Sequence, residues 1–299
     1  MKYIFSILFL VITLEAKANC KLYLLAGSYD KAVHAAQEKQ KFGKATISDI
    51  NCQGQAYFEL GKFSLAAEQF VKVASLATSD IDRSAAYQGA GMSMLYTGDY
   101  NRGIEFLEKK LKIDKKLGDK NEVGVSLATM AAILGNMGNH KEAIVKSIEA
   151  LNYLKHDTDI ASTYNNIANE YAGMGDIDNA IKYMQKAIEL DRKFFGDKKD
   201  LAIHLVNLGN FYLVKEKDKK AIEALNEGVQ LIRKFGDLYW LMTGLTYRAK
   251  AYFYAGQANE SKSDIDEALK IALNINPREI DSVKSLHASL TQAIKNSNN

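Results

Sequence analysis

The chain has 299 residues, 47% of them hydrophobic and 25% charged, with a single proline. That composition excludes a disordered or collagen-like chain, supplies enough apolar material for a sizeable core, and points to helices. A formal net charge of +3 gives no footprint for nucleic acid or another acidic polymer.

In chain order, the first segment reads MKYIFSILFLVITLEAKANC. Lys2 precedes an apolar run from Tyr3 to Leu14, followed by Ala16-Lys17-Ala18, the small-x-small shape of a signal-peptidase site. Residues 1–18 are therefore expected to be a signal peptide, with a mature protein from Asn19 that is exported across the inner membrane and periplasmic. The run is short for a bilayer span and no later stretch is longer, so no membrane span is expected in the mature form. Two rivals are an uncleaved anchor and a lipid on Cys20. For the second, Asn19 and Lys17 stand where a lipobox wants a small and an aliphatic residue. Cys20 and Cys52 are an even pair; in an oxidising compartment they suggest a disulfide, and otherwise two small buried hydrophobes.

From residue 20 onward one spacing returns at intervals of 34 to 41 residues. It starts with a small residue: Cys20, Gly54, Gly91, Ala131, Ala168, Gly209 and Ala249. Seven positions on stands a turn residue: Gly27, Gly61, Gly98, Gly138, Gly175, Glu216 and Gly256. A second small residue follows at Ala32, Ala66, Gly103, Ala143, Ala180, Ala221 and Ser261. A usually larger one comes four later, at Ala36, Phe70, Leu107, Ser147, Met184, Leu225 and Ile265, and three beyond it stand Lys39, Val73, Lys110, Ala150, Ala187, Gly228 and Ala268. Spacings of three and four around a turn glycine describe two amphipathic helices per copy, and small residues at facing positions let them approach closely. No single pair can bury its apolar face, so stacking makes the core. At the end, Asn276, Pro277 and Glu279 read as the start of a polar closing helix over 277–299. No proline- or serine-rich linker divides residues 19–299, which are read as one domain.

This pattern resembles the tetratricopeptide repeat family over essentially the whole chain after the leader. The stretch DRKFFGDKKDLAIHLVNLGNFY looks most like the longer variety of about forty residues found in kinesin light chain. The resemblance implies an all-α fold: a right-handed superhelical α-solenoid of antiparallel helix pairs, with six to seven repeats and a C-terminal capping helix. Glu216 in place of a turn glycine, and Gly103 and Ser261 in place of alanine, depart from the family's pattern at the turns and close contacts.

No catalytic constellation accompanies the repeat. The five histidines are scattered, with no HExxH, no Cys/His cluster and no phosphate-cradling loop, and no cofactor or metal is expected. In HDTDIAS, His156, Asp157 and Asp159 are a metal candidate, against a polar helix start capped by Asp157 or Thr158. His204 falls on a face the repeat buries beside Leu208, and KEKDKK at 215–220 reads as a solvated turn, with a basic docking patch as the rival.

The resemblance also implies that the first helix of each pair lines a concave face. Two columns on that face end in Asn169, Asn210, Lys250 and in Asn166, Asn207, Tyr247. Asparagines carry both donor and acceptor, so a ladder of them can hold the backbone of an extended peptide; similar asparagines do so in kinesin-light-chain-like relatives. Lys250 adds a cation for an acidic group, and Tyr247 and Tyr254 add flat contacts. Thr243 and Thr246 stand where a dicarboxylate clamp would need a second basic residue. The alternative is that the four asparagines bond only one another and keep the helices in register. The expected protein is an exported, non-enzymatic adaptor that binds an extended protein or peptide segment. The second reading is a structural subunit of a cell-envelope or secretion assembly, with an enzyme as a distant third.

Overall fold

The computed structural model describes residues 19–193, 198–275 and 279–297. The expected signal peptide lies outside them, as do Asn276 and Pro277. Fifteen helices and no strand occur among the described residues. They are α1 (Cys20–Leu25), α2 (Tyr29–Lys41), α3 (Ile47–Glu59), α4 (Phe63–Leu76), α5 (Asp80–Thr97), α6 (Tyr100–Leu117), α7 (Lys120–Asn136) and α8 (His140–Leu151). These are followed by α9 (Asp157–Gly173), α10 (Ile177–Lys193), α11 (Lys199–Val214), α12 (Asp218–Phe235), α13 (Leu238–Tyr254), α14 (Ala258–Ile275) and α15 (Ile280–Ser297). None is long and apolar enough to cross a membrane.

Local chemistry sets the helix boundaries. Thr46 and Asp49 form a reciprocal capping box at the start of α3, and Ser79, Asp99, Asp119 and Asp237 each accept an amide of the first turn. The turn glycines after the first helices all have positive φ. Glu216 keeps that conformation with φ 55°, alone among the described non-glycine residues. The turn survives the substitution, at the steric cost that a Cβ imposes in the left-handed region.

Helices pack as consecutive antiparallel pairs: α1 with α2, α3 with α4, α5 with α6, and α7 with α8 in one compact unit that ends at Leu154. A second unit begins at Lys155 and pairs α9 with α10, α11 with α12 and α13 with α14, and α15 closes against α14. Within each unit, first helices also touch the next first helix, as α11 does α13.

The repeated small positions are the closest contacts of both cores. Ala168, Ala180, Ala221, Ala249 and Ser261 are fully buried. Where the facing residue branches at Cγ, even an alanine is too large: a Cβ on Gly209 would lie 2.4 Å from Leu225 Cγ, and one on Gly91 2.8 Å from Leu107 Cγ. Glycine faces Phe and Leu, whereas alanine faces unbranched Met184, small Ser147 or Ile265, which branches at Cβ instead. The terminal α15 turns Val283, Leu290 and Ile294 inward and leaves Asp281, Lys284, Ser285 and Ser289 exposed. That polar outer face suits the end of a stack.

Within each unit the joints between successive repeats differ in chemistry. Lys39 of α2 is 2.5 Å from Asp49 of α3. Asp114 of α6 accepts from Ser84 and, at 3.1 Å, from Ser126 of α7, and Lys110 lies 2.7 Å from both Asp114 and Glu122. Asp191 of α10 is 2.6 Å from Nδ1 of His204 in α11. Asp49, Ser126 and His204 share one register position, five before the small residue. At the other joint within each unit that position holds Ala86 or Gly244, packed among apolar neighbours such as Val73 and Val229. His204 is thus buried next to Leu208, as its position in the repeat implies, and is also held by a carboxylate.

Candidate functional site

The first helices of the second unit, α9, α11 and α13, carry the residues that the repeat pattern assigns to one face. Asn166, Asn207 and Asn210 are half-buried and Asn169 is exposed. They do not stand as four separate rungs. Asn165, absent from the two columns followed in the sequence, lies at their centre. Its Oδ1 accepts from Asn207 Nδ2 at 3.2 Å and from Asn169 Nδ2 at 3.5 Å, and its Nδ2 donates to Asn166 Oδ1 at 3.4 Å. Asn210 makes no side-chain hydrogen bond among the described residues.

The bond from Asn165 to Asn207 joins a residue three before the small position to one two before it on the next first helix. In the first unit Gln88 donates to Thr129 at 3.0 Å across the same two positions. This diagonal is a signal the sequence did contain, but columns of equal register cannot reveal an offset bond. The amides used in it are fixed; the second hydrogen and the carbonyl of Asn207, and both ends of Asn210, keep their capacity to bind.

Farther along the same face, Lys250 Nζ lies 5.9 Å from the ring centroid of Tyr247, within reach of a cation–π contact. Burial, and then the Glu279 carboxylate, hold the Tyr247 hydroxyl above the usual phenol range. Lys250 has no ion-pair partner among the described residues. Tyr254 is exposed and meets Phe253 edge to face at 5.8 Å. The Thr243 and Thr246 hydroxyls donate to their own helix, to the carbonyls of Tyr239 and Met242. The nearby Arg248 is committed to both oxygens of Asp264 and to Asn226, leaving Lys250 as the cation on offer.

Cys20 and Cys52 form a disulfide, 32 residues apart. Helix α9 begins at Asp157 with His156 as its cap residue and no side-chain cap bond. The expected cap by Asp157 or Thr158 is therefore corrected: both lie inside the first turn, where an acid still favours the helix dipole. No group of three His, Cys, Asp or Glu side chains able to hold a metal occurs among the described residues. In the 215–220 turn, Lys215 pairs with Asp178 and Lys220 lies over the Tyr212 ring.

Residues 159–234, covering α9 to α12, match the tetratricopeptide repeat family. These residues are tetratricopeptide repeats. The fold of the chain is similar to that of the Cut9–Hcn1 hetero-tetramer of APC/C, with a TM-score of 0.65 and 19% identity, covering 89% of this chain and 46% of that one. The repeat chain thus spans less than half of that relative. It is similar also to a Rap protein complexed with competence and sporulation factor, with a TM-score of 0.61 and 15% identity over 84% of this chain and 75% of that one. The apo quorum sensor NprR from B. thuringiensis gives 0.63 and 14%, over 91% and 85%. At these identities the likeness is one of fold, and the residues of the tetratricopeptide-repeat face have to speak for themselves.

Proposed function

We propose that this protein is an exported, non-enzymatic adaptor that holds an extended segment of another protein along the face formed by α9, α11 and α13. The observation that carries the reading is the cluster of amides around Asn165, which is fixed by its own hydrogen bonds and still presents unused donors and acceptors beside an unpaired ammonium. Such a surface binds a peptide backbone with little side-chain reading, and Lys250 adds a preference for an acidic group. The likeness to a Rap protein complexed with competence and sporulation factor supports a ligand-holding use of this fold. Export is supported by the leader pattern and by the Cys20–Cys52 bridge, a bond kept in oxidising compartments.

The test separates binding from folding. Asn169→Ala with Asn210→Ala removes one long hydrogen bond and one free amide, so the melting temperature should stay within about 2 °C. Capture of partners from envelope extract, followed by titration with the partner obtained, should show affinity lower by about tenfold or more. Unchanged affinity would reject the face. Intact mass of the exported protein should place its first residue at Asn19, and a lipid on Cys20 would contradict that. A scaffold role is the second reading, favoured by Val145 and Ile148 of α8: they are 67% and 44% exposed at positions where other repeats carry mostly Glu, Lys, Ser or Gln.

A further inference from the structure

A second site of different chemistry lies in the first unit. Helices α3 and α5 meet across Gly54 and Gly89, and the ring of Phe70 from α4 lies against both glycines. A Cβ on Gly89 would fall 2.8 Å from three atoms of that ring, and one on Gly54 3.1 Å from it. The missing side chains let the ring form one wall of an open cavity of about 230 Å³, lined by Gln55, Phe58, Glu59, Phe70, Gly89 and Met92. That volume suits one large side chain rather than a free small molecule. Phe58 is fixed by edge-to-face contacts with Phe63 and Tyr96, at 5.2 and 5.4 Å.

The one charged residue in the lining is negative. Glu59 is exposed, has no ion-pair or hydrogen-bond partner among the described residues, and is the last residue of α3. A carboxylate at the C-terminal end of a helix opposes the dipole and costs stability there. At the equivalent position the other repeats hold Leu25, Tyr96, Asn136, Gly173, Val214 and Tyr254, none of them acidic. Apolar walls and a misplaced carboxylate ask for an apolar group attached to a cation.

We infer that this cavity binds a protein segment in which a large apolar side chain stands next to a lysine or arginine, the apolar group in the cavity and the cation at Glu59. The site is independent of the asparagine face and differs from it in sign: Glu59 here, Lys250 there.

The experiment is selection of random octapeptides displayed on phage against the full-length protein, run in parallel on Glu59→Lys and on Asn169→Ala with Asn210→Ala. Wild type should enrich peptides with Leu, Ile, Met or Phe adjacent to Lys or Arg. Those peptides, synthesised, should bind the asparagine variant unchanged and Glu59→Lys about tenfold or more weakly, with a salt dependence that the variant loses. Because Glu59 is exposed and sits at the wrong end of a helix, Glu59→Lys should melt no lower than wild type, so weaker binding cannot be ascribed to unfolding. Met92→Ser, which opens the wall, should weaken the same peptides while keeping their salt dependence. No enrichment, enrichment of acidic or uncharged apolar peptides, or equal binding to Glu59→Lys would overturn the inference. So would self-association of the wild type that Glu59→Lys abolishes, which would make the occupant a second copy of the chain. Loss of binding only in the asparagine variant would leave the α9–α11–α13 face standing and remove this site.

Discussion

The buried ammonium of Lys110 offers the sharpest test of how the stack is held together. Its side chain is fully buried at a position where four other repeats have Ala or Gly, and Asp114, one turn on, is 1% exposed. Lys110→Met removes the cation but leaves the Asp114 carboxylate in the core with the two serine hydroxyls, Ser84 and Ser126, as its remaining donors. An uncompensated buried charge costs about 3 to 5 kcal/mol, and the hydroxyls hold the value near the lower end, about 3 kcal/mol. Lys110→Met combined with Asp114→Leu fills the same space with apolar atoms. Ser84 and Ser126 can then bond carbonyls of their own helices, and Glu122, 44% exposed, can turn to water. The double variant should return to within about 1 kcal/mol of wild type, a coupling of about 2 kcal/mol or more. Urea unfolding followed by far-ultraviolet circular dichroism reads this as a midpoint about 1 M or more lower for the single variant, recovered in the double. A single variant within about 0.5 kcal/mol of wild type, or a double variant worse than either single, would refute the picture of a paired charge in a core position.

Asp49 gives a pH dependence. Burial pushes its carboxyl up, but the Lys39 ammonium and the Thr46 amide and hydroxyl together hold it below the usual range. A depressed carboxyl stabilises above its unfolded pKa and loses that contribution as pH falls through the folded value. The destabilisation by Asp49→Asn should therefore be full at pH 7 and shrink below about pH 4, measured as urea midpoints; a pH-independent difference would contradict it. Glu216→Gly should raise stability by about 0.5 to 1 kcal/mol in the same assay by relieving the positive φ, and a loss would show that the glutamate side chain contributes more than the turn costs. Reducing the Cys20–Cys52 bridge, or Cys20→Ser with Cys52→Ser, should lower the stability of the first unit by about 3 to 4 kcal/mol. Two thiols titrating in denaturant without reductant would show that the bond is not formed.

What the sequence displays is what recurs at equal register. The small residues and the turn position can be read by eye because each copy must bring two helices together at the same height, and packing tolerates little else there. Lys110 shows where that reading fails: a polar residue in a core column looks like a lapse in the pattern, and only the fold reveals that Asp114, Glu122, Ser84 and Ser126 converge to satisfy it. Asn165 was missed for a related reason. Its position holds Ala128 and Val206 in the neighbouring repeats but Asn51, Gln88 and Thr246 elsewhere, so no single residue type marks the column, and its bond to Asn207 runs diagonally between columns, as that of Gln88 to Thr129 does. Glu59 was invisible for the opposite reason: an exposed glutamate at a helix end is unremarkable until Phe70, pressed against a glycine of α3 and a glycine of α5, turns the place beside it into a cavity. Packing is written in the periodic part of a repeat sequence, whereas recognition is written in departures from the period, each of which has meaning only beside neighbours that the fold supplies. For that reason, the decisive variants here alter single departures, Lys110, Glu59 and the asparagines, and leave the repeating small residues untouched.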